Sequence, residues 1–92
     1  MIYQIDFLIG AQQGLERLHK AGEFKVLKKI TLLLEELKIH PKTGKGKPKR
    51  ARQIPGNVWS RRITRKHRLV YEIFESIVTI EIIQTDGHYH DK

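Results

Sequence analysis

Two arginines and a histidine in the second half of the chain have side chains suited to RNA cleavage without a metal. Arg62 and Arg68 fall on two adjacent predicted antiparallel strands, and His88 follows the last predicted strand. Attack by the RNA 2′-hydroxyl needs a proton acceptor, a proton donor to the departing 5′-oxygen, and cations around the charge-rich phosphorane. Arginine binds phosphate oxygens in bidentate fashion, and histidine exchanges protons near neutral pH. Spacing alone also permits the alternative of solvated arginines that protect a sheet edge.

The basic residues of the chain are segregated. The 92 residues carry a formal net charge of +8, and residues 39–70 hold eleven of the 18 lysines and arginines without any aspartate or glutamate. The remainder is mildly acidic, with seven basic residues against ten acidic ones. A segregated cationic segment attracts polyanions. We therefore expect a nucleic acid or ribonucleoprotein partner, with an acidic protein as an alternative. A membrane surface is disfavoured, because the segment is too rich in glycine, proline and turns for an amphipathic helix.

Length and composition restrict the protein class. A chain of 92 residues has room for one core, so we expect a single domain over residues 1–92. The longest apolar run is too short to cross a bilayer, and the first residues lack the pattern of a signal peptide. Cysteine is absent, which excludes disulfides, thiol catalysis and cysteine-ligated zinc. We expect a cytoplasmic protein.

No group of side chains has the spacing of a metal or cofactor site. His88 and His90 are two residues apart and are flanked by Asp86 and Asp91, but a second ligand group at motif spacing is missing. The G-K-G-K segment at 44–47 lacks the spacing of a phosphate-binding P-loop. We expect neither a metal nor a cofactor.

Hydrophobic periodicity predicts an α+β fold with the element order β-α-α-β-β-β. Alternation predicts strands at 3–7, 58–64, 67–75 and 77–85, and helical spacing predicts helices at 9–20 and 24–37. Residues 40–53 are predicted as a loop and 54–57 as a turn. Two helices should therefore pack on a small, mainly antiparallel sheet.

The second helix carries the strongest apolar pattern. Its predicted stripe consists of Phe24, Leu27, Ile30, Leu34 and Leu37, with Val26 and Leu33 beside it. Glu35 and Glu36 are assigned to the opposite, solvated face. Trp59 is predicted to pack against the sheet or the core, with base stacking as the alternative.

Four blocks of sequence resemble one known family. They are G-K-G-K-P at 44–48, W-S-R-R-I-T at 59–64, H-R-L-V-Y at 67–71 and G-H-Y at 87–89. Together they resemble the Txe/YoeB toxins of the RelE/ParE superfamily, over nearly the whole chain. The resemblance implies a microbial ribonuclease-like fold and a type II toxin that is a metal-independent, ribosome-dependent mRNA endoribonuclease. It also implies cleavage in the A site of the 30S subunit by 2′-hydroxyl attack, a cognate YefM/Phd-type antitoxin and a homodimer.

The resemblance also assigns roles to single residues. Arg68 matches the arginine that stabilises the transition state, and His88 matches the proposed general acid. Tyr89 matches the neighbouring aromatic residue that positions the substrate. Arg62 matches a basic residue of the same pocket, and Arg52 falls where the family usually has a lysine.

One position departs from the family pattern. Directly after K-P at 47–48 these toxins usually carry a glutamate regarded as the general base, and this chain has Lys49. Either Lys49 or a ribosomal group takes the proton, as in the RelE branch, or the chain is a catalytically weakened RNA- or ribosome-binding member. A ParE-like gyrase inhibitor is a further alternative. Lys45 and Lys47 are expected to contact the RNA backbone without reading bases.

Overall fold

The computed structural model describes residues 2–88, and at residues 87 and 88 it describes the backbone. Strand β1 (Gln4–Phe7) is followed by helices α1 (Ile9–Lys20) and α2 (Phe24–Leu37). Strands β2 (Lys49–Arg50), β3 (Val58–Arg62) and β4 (His67–Phe74) come next. A short 3₁₀ helix (Glu75–Ile77) then leads into β5 (Thr79–His88).

The strands form one five-stranded sheet in the order β1-β5-β4-β3-β2. Strands β2 to β5 pair antiparallel with their neighbours, and β1 pairs parallel with β5. The sheet is therefore mixed, and the expected α+β architecture of two helices on a mainly antiparallel sheet is confirmed. Within residues 2–88, neither helix has the length and apolar content needed to cross a membrane.

Two connections differ from the prediction. Residues 40–53 were expected to be a loop, but Lys49 and Arg50 pair with Ser60 and Trp59 and add a fifth strand. A two-residue strand is too short to show hydrophobic alternation, so the sequence pattern could not reveal it. The expected tight turn at 75–76 is instead the 3₁₀ helix, after which Val78 adopts a left-handed conformation.

The core lies between the helices and one face of the sheet. Alternate residues of β4 and β5 are almost completely buried there, namely Leu69, Tyr71, Ile73, Ile80 and Ile82. Helix α1 contributes Ala11 and Leu18 to the same cluster. Burying one branched aliphatic side chain contributes roughly 1.5–3 kcal/mol. The opposite face of the sheet carries neither helix.

The buried stripe of α2 is rotated relative to the prediction. Val26, Ile30, Leu33 and Leu37 are buried, whereas Phe24 is 60% exposed. These four residues follow the i, i+4, i+7, i+11 spacing of a single helix face. Both possible stripes were apolar, so spacing alone could not decide which one would meet the sheet.

Gly22 ends α1 in a Schellman arrangement. Its φ of +71° lies in the left-handed region, and its N–H donates to the His19 carbonyl at 3.0 Å. The next N–H, of Glu23, donates to the Leu18 carbonyl at 2.9 Å. A glycine adopts this conformation without the Cβ clash of other residues, which lets α2 start within a few residues of α1.

Candidate active site

A groove of about 300 Å³ lies on the sheet face that the helices leave open. Its lining residues come from β2, the segment that follows β2, β3 and β4: Lys49, Arg50, Ala51, Gln53, Ile54, Ser60, Arg68 and Val70. Two of the predicted catalytic residues, Lys49 and Arg68, thus line the same groove. Among the described residues that line it, none carries a carboxylate.

The strand register explains why these side chains meet. Lys49 pairs with Ser60, and Ser60 pairs with Val70 on the next strand. Directly opposed residues of antiparallel strands share one face of the sheet. Arg62 and Arg68 form the pair two residues further along the two strands, so both lie on this same face. Arg68 is half-buried and donates from Nη1 to Ser60 Oγ at 3.1 Å.

The segment after β2 forms one wall of the groove. Arg50 Nη2 donates to the Gly56 carbonyl at 3.1 Å, which ties the end of this segment back to the strand. Gly56 has a φ of +97°, and a Cβ there would lie 2.4 Å from Glu72 Oε2. Both its conformation and the close approach of β4 therefore favour glycine at this position.

The other predicted cations lie near the groove but do not line it. Arg52, Lys45 and Lys47 are not among the described residues that line the groove. The Arg62 N–H donates to the Gly46 carbonyl at 2.7 Å, so the loop that carries Lys45 and Lys47 runs beside the end of β3. The cationic loop and the groove are thus adjoining parts of one surface.

The backbone register also locates the predicted C-terminal residues. Gly87 lies opposite Arg68 on β4, and His88 lies opposite His67. The end of β5 therefore runs directly beside the strand that carries Arg68. The side chain of His88, and the whole of Tyr89, lie outside the described part of the chain.

Helix α1 holds the end of β5 through contacts that the sequence analysis missed. Arg17 makes a bidentate ion pair with Asp86, with distances of 2.7 Å from Nε to Oδ2 and 3.0 Å from Nη2 to Oδ1. Thr85 Oγ1 donates to the Ala11 carbonyl at 2.7 Å. A Cβ at Gly14 would lie 2.4 Å from Thr85 Oγ1, so α1 and β5 approach closely. These contacts end two residues before His88.

Arg61 does not belong to the cationic surface, contrary to the sequence-based prediction. It was counted among the cations that attract polyanions, but it is fully buried on the helix-facing side of β3. Its Nη1 lies 2.6 Å from Glu36 Oε1 in an ion pair, and its Nε donates to the Tyr71 hydroxyl at 3.2 Å. The prediction that Glu36 lies on a solvated helix face is therefore wrong. The signal was present, because alternation along β3 places Arg61 with Trp59 and Ile63.

The acid–base properties of the two partners reflect this burial. Desolvation tends to raise the pKa of Glu36, but hydrogen bonds from the Lys45 N–H and from Arg61 outweigh it, so the pKa lies below its ordinary value. Burial raises the pKa of the Tyr71 hydroxyl, and Arg61 only partly opposes that effect. At neutral pH the unit therefore consists of a guanidinium, a carboxylate and a neutral phenol.

A larger groove lies elsewhere on the molecule. It has a volume of about 490 Å³ and lies between β1 and α2. Its lining is mainly apolar and includes Ile2, Phe7 and Leu34, with Glu35 and Lys38 as the charged members. Its described lining residues include no arginine or histidine, and Lys38 is paired with Glu35 at 3.0 Å, so this groove is poorly suited to phosphate chemistry. The smaller, cationic groove is the better candidate.

The cationic groove has the properties of a phosphate-binding surface. Arg68 presents a guanidinium fixed by Ser60, and the exposed side chain of Lys49 enters the groove from β2, on the far side of β3. Guanidinium and ammonium groups held in place before binding stabilise the extra negative charge of a pentacoordinate phosphorane. A chain of phosphates crossing this face would next meet Arg62 and the cationic loop.

Comparison with known proteins identifies the family of this chain. The family model for YoeB-like toxins of bacterial type II toxin–antitoxin systems matches residues 15–89. Toxin YoeB of Escherichia coli (strain K12) is 39% identical over 56 residues, which cover 61% of this chain and 67% of that protein.

Solved structures with the same fold come from the same group of proteins. A YoeB/ParE toxin from Agrobacterium tumefaciens has a TM-score of 0.80 at 30% identity, covering 94% of this chain and 99% of its own. A YoeB dimer from Staphylococcus aureus has a TM-score of 0.77 at 29% identity, covering 97% and 100%. The toxin chain of a heterotetrameric YoeB–YefM complex from Staphylococcus aureus has a TM-score of 0.74 at 29% identity and the same coverage. This chain belongs to the family of YoeB-like toxins of bacterial type II toxin–antitoxin systems.

Proposed function

We propose that this toxin is a ribosome-dependent endoribonuclease that cuts mRNA in the A site of the small subunit by 2′-hydroxyl attack, without a metal. The observation that carries the proposal is the meeting of Arg68 and Lys49 in one groove, beside the end of β5. Membership of the YoeB-like family supports the same activity.

In this proposal Arg68 stabilises the phosphorane. Its guanidinium is half-buried and oriented by Ser60, so little reorganisation is needed when negative charge develops. Arg62, on the same face, binds an adjoining phosphate, and Arg52, Lys45 and Lys47 extend the cationic surface along the RNA. His88 donates the proton to the departing 5′-oxygen.

Lys49 takes the position at which a proton acceptor is expected. It is exposed in the groove that contains Arg68, and its strand partner is Ser60. We propose the neutral amine of Lys49 as the group that accepts the 2′-hydroxyl proton, and Tyr89 as the aromatic residue that positions the nucleotide. A lysine supplies this chemistry only in its uncharged form.

The partners follow from charge and from the relatives. An acidic antitoxin of the YefM type is proposed to bind the cationic face and exclude RNA, in line with the YoeB–YefM complex from Staphylococcus aureus. Homodimerisation is proposed on the basis of the YoeB dimer from that organism. The antitoxin competes with ribosome and mRNA binding in the cytoplasm.

The test is a coupled translation reaction in which cut sites on a reporter mRNA are mapped by primer extension. The unmodified protein should cut translated mRNA and leave naked transcript intact. Arg68→Ala should slow cleavage by about 100–1,000-fold, the usual effect of removing one group that stabilises the transition state. Lys66→Ala, which removes an exposed lysine from the β3–β4 turn, is the matched control and should retain activity.

A second series isolates Lys49. Lys49→Ala should slow cleavage, whereas Lys49→Glu should restore it because a carboxylate can take the same proton. Equal rates for both variants and the unmodified protein would remove Lys49 from the mechanism. DNA damage with intact mRNA would instead indicate a gyrase-directed toxin and refute the proposed activity.

A further inference from the structure

We propose that Arg61, Glu36 and Tyr71 form a buried positioning unit that fixes residues 40–47 so that Lys45 and Lys47 meet RNA phosphates. The inference rests on the proposed function, which gives these two lysines their role in binding RNA. It adds that their position is set from beneath by residues that never touch the substrate.

The guanidinium of Arg61 uses every donor it has. Nε donates to Tyr71 Oη, and Nη1 donates to Glu36 Oε1 and to the Lys45 carbonyl at 3.2 Å. Nη2 donates to the carbonyls of His40 and Thr43, the latter at 2.7 Å. Arginine has five N–H donors, so all five are occupied. Three of the five acceptors are backbone carbonyls of the 40–47 segment.

Glu36 and Tyr71, the side-chain partners of Arg61, also make hydrogen bonds to the backbone of residues 40–47. Glu36 Oε1 accepts the Lys45 N–H at 2.6 Å, and the Tyr71 hydroxyl donates to the Pro41 carbonyl at 2.7 Å. The backbone of Lys45 is therefore fixed at both its N–H and its carbonyl. The side chain of Lys45 makes none of these hydrogen bonds and is exposed, although its charge helps to lower the pKa of Glu36.

The backbone of the segment follows a path that few residues adopt. Gly44 and Gly46 have φ values of +108° and +81°, and Lys47 has a φ of +49°. A lysine in the left-handed region costs roughly 1–2 kcal/mol, so surrounding contacts must impose this conformation. Within residues 2–88, the side-chain hydrogen bonds to the backbone of residues 40–45 come from the unit formed by Arg61, Glu36 and Tyr71. The next carbonyl, of Gly46, accepts the N–H of Arg62, the residue that follows Arg61 on β3.

The residues that hold the loop in place are different from the residues that give the loop its surface charge. Arg61 is fully buried and paired with Glu36, so the pair adds no net charge to the surface. Within residues 40–47, Lys42 pairs with Glu75 at 2.7 Å, which leaves Lys45 and Lys47 as the lysines that this segment offers to RNA. Loosening the unit should therefore weaken RNA binding without removing any surface cation.

The experiment compares Glu36→Gln with Glu35→Gln by fluorescence anisotropy on a short labelled single-stranded RNA, over a range of salt concentrations. Glu35 is the neighbouring acid, paired with Lys38 at 3.0 Å, and both substitutions change the net charge equally. Glu36→Gln should bind about tenfold more weakly than Glu35→Gln. The salt slope should fall by about 0.7 for each phosphate that a lysine no longer neutralises, hence by roughly 1.4 for two lysines.

A purely structural role predicts a different result. It would lower the fraction of binding-competent protein, which stoichiometric titration measures, and would leave the Kd and salt slope of the folded fraction unchanged. That outcome overturns the proposal. In a variant that lacks both Lys45 and Lys47, adding Glu36→Gln should change neither quantity further, and a further change would equally contradict it.

A second, less disruptive variant tests the proposal if Glu36→Gln does not fold. Tyr71→Phe removes one hydroxyl and releases only the Pro41 carbonyl and the Arg61 Nε, and it should shift the salt slope in the same direction by a smaller amount. An unchanged slope refutes the proposal. Because binding does not require cleavage, unmodified protein that binds RNA but never cuts it would count against the proposed function alone.

Discussion

Replacing Gly44 by alanine should destabilise the protein far more than the same replacement at Gly22. Both glycines have positive φ, +108° and +71°. A Cβ at Gly44 would lie 1.8 Å from Glu36 Oε1 and 2.6 Å from its Cδ, whereas at Gly22 the nearest atom is 4.0 Å away. In both variants an alanine must adopt a positive φ, and only in Gly44→Ala does the new Cβ also collide with Glu36.

The expected difference in the free energy of unfolding follows from the displacement of the Glu36 carboxylate. An alanine in the left-handed region costs roughly 1–2 kcal/mol at either site. At Gly44 the carboxylate of Glu36 must also move away from Arg61, and breaking a buried ion pair costs about 3–5 kcal/mol. The side chain of Glu36 is 24% exposed and can partly relax. We therefore expect Gly44→Ala to be about 2–4 kcal/mol less stable than Gly22→Ala.

Equilibrium urea unfolding, followed by the fluorescence of the single tryptophan, measures both values. A third protein with Glu36→Ala provides the cycle: without the carboxylate, Gly44→Ala should cost only its backbone term. If Gly44→Ala and Gly22→Ala prove equally stable, the contact between loop and carboxylate does not constrain the fold and the reasoning fails.

Two further predictions concern the core and the response to acid. Leu69→Ala should cost about 2–5 kcal/mol in urea unfolding because Leu69 is fully buried, whereas Leu32→Ala, at a 59% exposed site, should stay within about 0.5 kcal/mol. The pKa of Glu36 is lowered in the folded state, so its contribution to stability is present at neutral pH and lost as the pH falls below the ordinary carboxyl range. As the pH falls from neutral through the ordinary carboxyl range and below it, Glu36→Gln should therefore lose less stability than unmodified protein, and an equal loss would contradict the assignment.

The regular elements could be predicted because their signals are local and repeated. The bounds of α1 and α2 match the predicted ranges, since several apolar residues at helical spacing support each helix. The three antiparallel strands also agree to within a few residues. Strand β2 was missed because its existence depends on partners at Ser60 and Trp59, and a two-residue segment holds no periodicity of its own.

The candidate site was predicted in part. Lys49 and Arg68 were expected to act together, and they line one groove. The wall formed by Ala51, Gln53 and Ile54 was not foreseen, because it depends on the path of an irregular segment. Arg17 and Asp86 were missed for a related reason: their ion pair spans 69 positions, and nothing in the local sequence relates the two residues.

Arg61 and Arg62 have different environments because of the geometry of β3. The two residues are adjacent and carry the same guanidinium, but successive side chains of a strand point to opposite faces. Arg61 is consequently buried against Glu36, while Arg62 is exposed on the face that carries Arg68. A lysine in place of Arg62 would keep a surface cation able to attract phosphate. A lysine in place of Arg61 has only three donors for the five acceptors, so it would leave loop carbonyls unsatisfied in the interior. The same substitution should therefore alter RNA affinity modestly at one position and the placement of the whole cationic loop at the other.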